Sequence, residues 1–246
     1  LVVRGGALLA WIAREGDTAY TPFRLIGTHT DSPTLRIKPR PDHVKAGWQM
    51  LGVEPYGPPL LNSWLDRDLG LAGRVVVRTA AGPQVRLFDD ARALARVAQL
   101  AIHLDRGVNE RGLVLNPQEQ LVPLWGVGSE PASFPAYLAE RVDADPADVL
   151  AWDAMLRDVQ PAVLLGPDRA LVAAPRLDNL ASTYAALTAL LAVADSGGAT
   201  GHRPMIVLFD HEEIGSRSES GAASPLLPGV LERIVQIGRA SCRERV

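Results

Sequence analysis

Late in the chain runs "RPMIVLFD", Arg203 to Asp210, five consecutive apolar residues with charges only at the margins. A strand with one wet face would alternate apolar and polar side chains; this one does not. It reads as a strand buried on both faces, as in a parallel sheet covered by helices on each side. That demand constrains the fold more than any other feature, because the chain must supply both a neighbouring strand and its cover. A second run, "FRLIGTHTD" (Phe23 to Asp31), reads as another buried strand that ends in polar residues. Ahead of the first run, "RLDNLASTYAALTALLAVADSGG" predicts a strong helix, alanine-rich and stopped by Gly197-Gly198. Both ends of the chain therefore read as α/β.

The middle differs. Pro39 to about Leu60 is rich in Pro and Gly and predicts loops and short strands, and "LAGRVVVRTAAGPQVRLF" predicts a hairpin turning near Ala80-Ala81-Gly82-Pro83. Asp89 and Asp90 offer an N-cap for a helix over "ARALARVAQLAIHL", fading out at Gly107. Asp145-Pro146 opens another over "PADVLAWDAMLRDV", with proline at the first helical position. The expected organisation is a host domain in two parts, 1–37 and 166–236, interrupted by an inserted domain over 38–165. A tail, 237–246, stands apart.

That tail, "IGRASCRERV", lacks the patterning of the preceding chain and matches one reading frame of a common sequencing adaptor. The expectation is that it is not native, and finding its ten codons in genomic DNA would refute this. It holds the single cysteine, Cys242, so the rest offers no thiol nucleophile or thiolate ligand. With 246 residues, 47% of them hydrophobic, the chain can bury one large core or two modest ones. A net charge of -3 and no basic run give no footprint for nucleic acid or for a membrane surface. No stretch approaches the roughly 20 uninterrupted apolar residues of a bilayer span. The N-terminus has an arginine inside its apolar part and no cleavage site, a poor signal peptide. The cytoplasm is the expected location. The first residue is Leu1, so the chain is expected to begin inside a longer gene.

Three clusters could carry chemistry: "THTDSP" at His29 and Asp31, "RLDNLAS" at Asp178, and "DHEEIGS" at Glu212 and Glu213. His29 and Glu212 each follow the C-terminal end of an expected strand, the edge where α/β sheets bind ligands. Asp178 stands at an expected helix start, where the dipole favours negative charge. Imidazole and carboxylate without sulfur suit zinc or a similar divalent ion. Two ions roughly 3.5–4 Å apart could share a carboxylate and a water, a recurring hydrolytic arrangement. In His29-x-Asp31 the acid could fix the imidazole's tautomer. Adjacent Glu212 and Glu213 repel unless one binds metal while the other handles a proton. Each has an ordinary alternative: a strand-end turn, a helix cap, and a solvated loop. "HEEIG" lacks the second histidine of the helical zinc-protease motif, so His211 does not complete one. No G-x-S-x-G elbow is present either. His43 and His202 are expected in surface loops.

In order, "IGTHTDSPTLRIKP", "WLDRDLGLAGRVVV", "LAIHLDRGVNE", "RLDNLAS" and "FDHEEIGSRSESGA" resemble the signature blocks of the aspartyl aminopeptidase family of dizinc metallopeptidases. The resemblance covers about Val3 to Gln236. It implies an α/β catalytic domain interrupted by a mixed, largely β dimerisation domain, with an incomplete C-terminus. It implies a cytosolic enzyme with two Zn2+ per chain that removes acidic N-terminal residues from peptides. Dimers of it would assemble into large tetrahedral homo-oligomers. By the same resemblance His29 is a ligand of one zinc, Asp31 orients it, and Asp178 bridges both metals. Glu212 is the general base and Glu213 a ligand of the second metal. His103 extends into a neighbouring subunit's site; without the resemblance it reads as a helix-end histidine. Family members supply a further aspartate and a late histidine beyond the glutamate pair, so this chain is expected to be an inactive fragment. Two rivals stay open: a related dizinc aminopeptidase of different specificity, and a non-catalytic homologue serving as an assembly module.

Overall fold

A computed structural model describes residues 1–197 and 201–243, with side chains through 236. The residues divide into two compact bodies, 1–32 with 176–246, and 33–175.

The first body begins with β1 (Val2–Arg4), β2 (Ala7–Trp11) and β3 (Phe23–His29). The second contributes β4 (Thr34–Lys45), β5 (Trp48–Tyr56), β6 (Leu69–Thr79) and β7 (Gly82–Ala95), then the single-turn helices α1 (Val108–Arg111) and α2 (Pro117–Gln120). It continues with β8 (Leu124–Val127), α3 (Phe134–Arg141), β9 (Val149–Asp158), β10 (Val163–Leu165) and β11 (Leu171–Ala173). The chain then returns to the first body with α4 (Leu177–Asp195), β12 (Arg203–Phe209) and α5 (Leu226–Arg243).

In the first body the strand order is β1-β2-β12-β3. The apolar run is indeed a central strand: β12 pairs antiparallel with β2 and parallel with β3, and Arg203 through Leu208 are all buried. Its two faces are covered separately. Met205 and Val207 pack with Ala7, Leu9 and Leu226, while Ile206 and Leu208 pack with Ala186 and Leu190 of α4. The register sets Phe209 beside His29, so both strands end level.

Length and composition alone would let α4 cross a membrane, which the sequence reading did not anticipate. Here it lies along β3 and β12.

The second body is built on a six-stranded antiparallel sheet, order β7-β6-β9-β4-β5-β8, with β10 and β11 forming a separate hairpin. Its core, including Leu35, Leu51, Leu69, Leu71, Phe134, Leu138 and Leu156, comes wholly from its own residues.

Three expectations for this region are corrected. The helix expected over "ARALARVAQLAIHL" is instead the end of β7, followed by bridges from Arg96 and Val97 and a turn at Ile102–Leu104. Asp90 caps nothing; its carboxylate faces inward and accepts from Arg92 and Tyr137. The helix expected over "PADVLAWDAMLRDV" shrinks to one 3-10 turn, Pro146–Asp148, whose first N–H groups are capped by Asp145, and then becomes β9. Long pairings with β6 on both sides override the helix-favouring alanines and leucines. Lastly, Pro39 to Tyr56 forms two long strands joined by a tight turn, leaving only residues 57–60 as loop, and Pro39 and Pro41 sit where the β4–β5 register breaks between Ile37 and Asp42. His43 therefore lies in β4, facing Met50 across the pair, while His202 lies in a bend before β12.

Candidate metal centre

His29 is the last residue of β3 and is buried, its side chain 9% exposed. The next residues turn away under constraint: Thr30 N–H donates to the Phe209 carbonyl at 2.8 Å, and its hydroxyl donates to the Gly6 carbonyl at 2.9 Å. From α4, the Thr183 hydroxyl donates to the His29 carbonyl at 3.2 Å and lies 3.0 Å from the Thr28 hydroxyl. The ring is thus held through its backbone by a neighbouring strand and by a helix.

Its nitrogens divide. Nδ1 lies 3.0 Å from the main-chain carbonyl of Asp31 and 3.4 Å from the Asp31 carboxylate. Both partners accept only, so Nδ1 carries the proton, and in the neutral ring Nε2 presents its lone pair. Facing that lone pair are Asp178 Oδ1 at 3.2 Å and Glu212 Oε2 at 3.8 Å. With Nε2 unprotonated these three acceptors repel one another, and either a proton on Nε2 or a metal ion among them relieves the repulsion.

Glu212 and Glu213 open a single 3-10 turn, Glu212–Ile214, directly after β12. Their main-chain N–H groups donate to the two oxygens of Asp31, 3.0 Å to Oδ1 and 3.1 Å to Oδ2. One carboxylate from the end of β3 therefore fastens the turn that follows β12. Burial pushes the Glu213 carboxyl above its usual range; His29 opposes this, and the charges of Asp31, Glu212 and Asp178 reinforce it.

Ligand atoms of His29, Glu212 and Glu213 lie within 4.8 Å of one another, the grouping among the described residues that could hold a metal ion. Asp178 lies outside that group yet within reach of His29; its side chain is 82% exposed, in a non-helical first turn where the peptide to Asn179 is cis. The donor set fits a divalent ion of the zinc type: imidazole with a free lone pair, carboxylates, no sulfur, and an acid whose charge its surroundings disfavour.

Five of the six residues singled out in the sequence thus come from one body. Three of them, Asp31, Asp178 and Glu212, face the nitrogens of the His29 ring, and Glu213 shares the metal-capable grouping with His29 and Glu212. His103 belongs to the other body, on the exposed turn Ile102–Leu104 and not at a helix end. Sequence reasoning missed Thr28, Thr183 and Ser32, whose hydroxyls lace β3 to the start of α4; the Ser32 hydroxyl donates to the Asp178 carbonyl at 3.1 Å. Isolated hydroxyl residues leave no pattern in a sequence.

Comparison with known proteins agrees with this geometry. Residues 1–245 match the family profile described as aminopeptidase I zinc metalloprotease, M18. A probable M18 family aminopeptidase 2 of Streptomyces coelicolor is 50% identical over 246 residues, covering 99% of this chain and 56% of that protein. The structure of Chaetomium thermophilum mApe1 superposes with a TM-score of 0.86 at 30% identity, covering 96% of this chain and 56% of the other. The S. cerevisiae mApe1 dodecamer gives a TM-score of 0.79 at 26% identity, covering 96% and 54%. The chain spans little more than half the length of the relatives it matches.

Proposed function

The chain belongs to the M18 family of aminopeptidase I zinc metalloproteases, and from that premise we propose that the full-length protein is a dizinc aminopeptidase releasing acidic residues from peptide N-termini. The observation that carries the reading is the convergence of His29, Glu212 and Glu213 at the level ends of β3 and β12, with Asp178 3.2 Å from His29.

In this reading His29, Asp178 and Glu213 would hold the two zinc ions. Bound there, zinc polarises the scissile carbonyl and makes water acidic enough to be deprotonated near neutral pH. Asp31 keeps the His29 proton on Nδ1 and holds the Glu212–Glu213 turn in place. Glu212, its side chain 54% exposed, takes a proton from the attacking water and returns it to the leaving amine. The free α-amino group of the substrate contacts the same centre, which limits cleavage to the terminal bond. His103 of one subunit completes the site of the next within a homo-oligomer, in the cytoplasm. The Saccharomyces relative's dodecamer supports assembly of this kind.

Two zinc ions ordinarily take three or four protein ligands each. With Glu212 acting as base, the described cluster offers three ligand side chains, His29, Asp178 and Glu213, so the 246-residue chain alone has little or no peptidase activity. A zinc-responsive rate from the purified chain overturns that statement. The test of the function is a panel of N-terminal aminoacyl substrates on the full-length protein. Aspartyl and glutamyl substrates are cleaved fastest and activity is lost to a chelator. Preference for leucyl or alanyl substrates overturns the acidic specificity, and a zinc-loaded protein inert on all of them leaves only an assembly role.

A further inference from the structure

The glutamate pair sits on a turn that the backbone adopts against its own preference. His211 has φ 62° and ψ 27°, and Ser216 has φ 62°. For a residue bearing a Cβ, the left-handed region costs roughly 1–2 kcal/mol. Glycine or asparagine is its usual occupant, and at residue 211 the chain uses histidine.

The surroundings explain how. The His211 N–H donates to Asp210 Oδ1 at 3.0 Å, and the Ser216 N–H donates to the His211 carbonyl at 2.8 Å. Asp210 is itself fixed, since its Oδ2 accepts the Gly6 N–H at 3.1 Å. A Cβ on Gly6 would come within 2.6 Å of that oxygen, so only glycine lets the β1–β2 turn approach. The ring closes the loop: Nδ1 lies 2.6 Å from Ser218 Oγ and 3.3 Å from Ser220 Oγ, and Nε2 lies 3.6 Å from Asp210 Oδ2. The returning segment is anchored in turn, because the Asp210 N–H donates to the Ser220 carbonyl at 3.2 Å. Glu212 and Glu213 follow His211 directly, with Asp31 holding them from the other side.

We propose that His211 and Ser218 are positioning residues for the metal centre. Through the ring–hydroxyl contact they hold the left-handed turn that aims Glu212 and Glu213 at His29. This rests on the zinc-site reading above, which concerns the ligands; the inference adds what holds two of them still. Neither His211 nor Ser218 belongs to the metal-capable grouping, so their effect is indirect.

The test is zinc affinity of the full-length protein by competition with a chromophoric chelator, alongside thermal melting. Ser218→Ala removes the ring's shortest hydroxyl contact and leaves the backbone alone. It weakens zinc binding about 10-fold, the lower end for loss of an outer partner, at an unchanged melting temperature. Ser218→Thr keeps the hydroxyl and restores affinity. His211→Gly relaxes the backbone but removes the ring and weakens binding similarly. The double variant is no weaker than His211→Gly, because both changes break one contact. Parent-like affinity in Ser218→Ala overturns the inference, as do additive losses in the double variant. A Ser218→Ala chain that unfolds also overturns it, since the contact would then support the domain and not the turn. A full-length parent that binds no zinc overturns the site reading as well, so the two failures are distinguishable.

Discussion

Asp31 does two jobs. Its main-chain carbonyl holds the His29 ring, and its carboxylate oxygens each take a main-chain N–H, from Glu212 and from Glu213. Asparagine in its place offers one acceptor and turns an NH2 toward a donor. We expect Asp31→Asn to fold and to bind zinc roughly 10–100-fold more weakly, measured by chelator competition. In the other body Asp90 plays a purely structural part. Buried, it accepts from the Arg92 guanidinium and main-chain N–H and from the Tyr137 hydroxyl, and the hydrogen bonds from Arg92 hold it well below the usual carboxylate range. A depressed folded value stabilises above the unfolded value near pH 4 and loses that stabilisation as pH falls toward the folded one. Asp90→Asn lowers stability at pH 7 by about 1–2 kcal/mol, near the low end for charged hydrogen bonds because Arg92 is itself exposed. Its melting temperature should also fall less than the parent's between pH 4 and pH 2. At this scale the sequence was informative about chemistry: residue types and strand-end positions brought His29, Asp31, Asp178, Glu212 and Glu213 to attention. It was silent on which acceptor each hydrogen bond uses, because that depends on partners up to 182 residues distant.

Among the elements, legibility followed how far local and long-range demands agree. The β12 run, α4 and the β6–β7 hairpin read correctly because pattern and environment ask for the same thing; β3 is a strand as expected but an edge one, with Leu25 and Ile26 exposed and only Thr28 and His29 buried. The end of β7 and all of β9 did not read correctly. In β9 the signal was present as a period of two, with Ala154 and Leu156 inward and Asp153 and Arg157 outward, paired with Arg74 and Asp89. A proline-led start and good helix formers masked it. Close strand approach makes another demand invisible in the sequence. A Cβ on Gly73 of β6 would lie 2.2 Å from the Asp153 carbonyl and 2.8 Å from the Ala154 Cα in β9. Both are backbone atoms that cannot step aside without parting the strands. Gly73→Ala should therefore cost roughly 1–3 kcal/mol, read as a lower midpoint in urea with a matching fall in melting temperature. A midpoint equal to the parent's would mean that the two strands are free to separate at that point.

At the level of the whole molecule, two bodies with separate cores share one chain. Residues 33–175 hold a six-stranded sheet and a core of their own, so expressed alone they should melt cooperatively with a β-rich circular dichroism spectrum; a gradual, non-cooperative melt would contradict that. The other body is discontinuous, and its candidate metal residues lie on both sides of the excursion. The Ser32 hydroxyl touches the Asp178 carbonyl, so the chain leaves and re-enters this body through one doorway. A short glycine bridge from residue 32 to residue 176 could span it. The half that carries the candidate metal residues thus keeps the two ends of the inserted chain side by side, so exchanging the guest for a short linker need not disturb the host's strands.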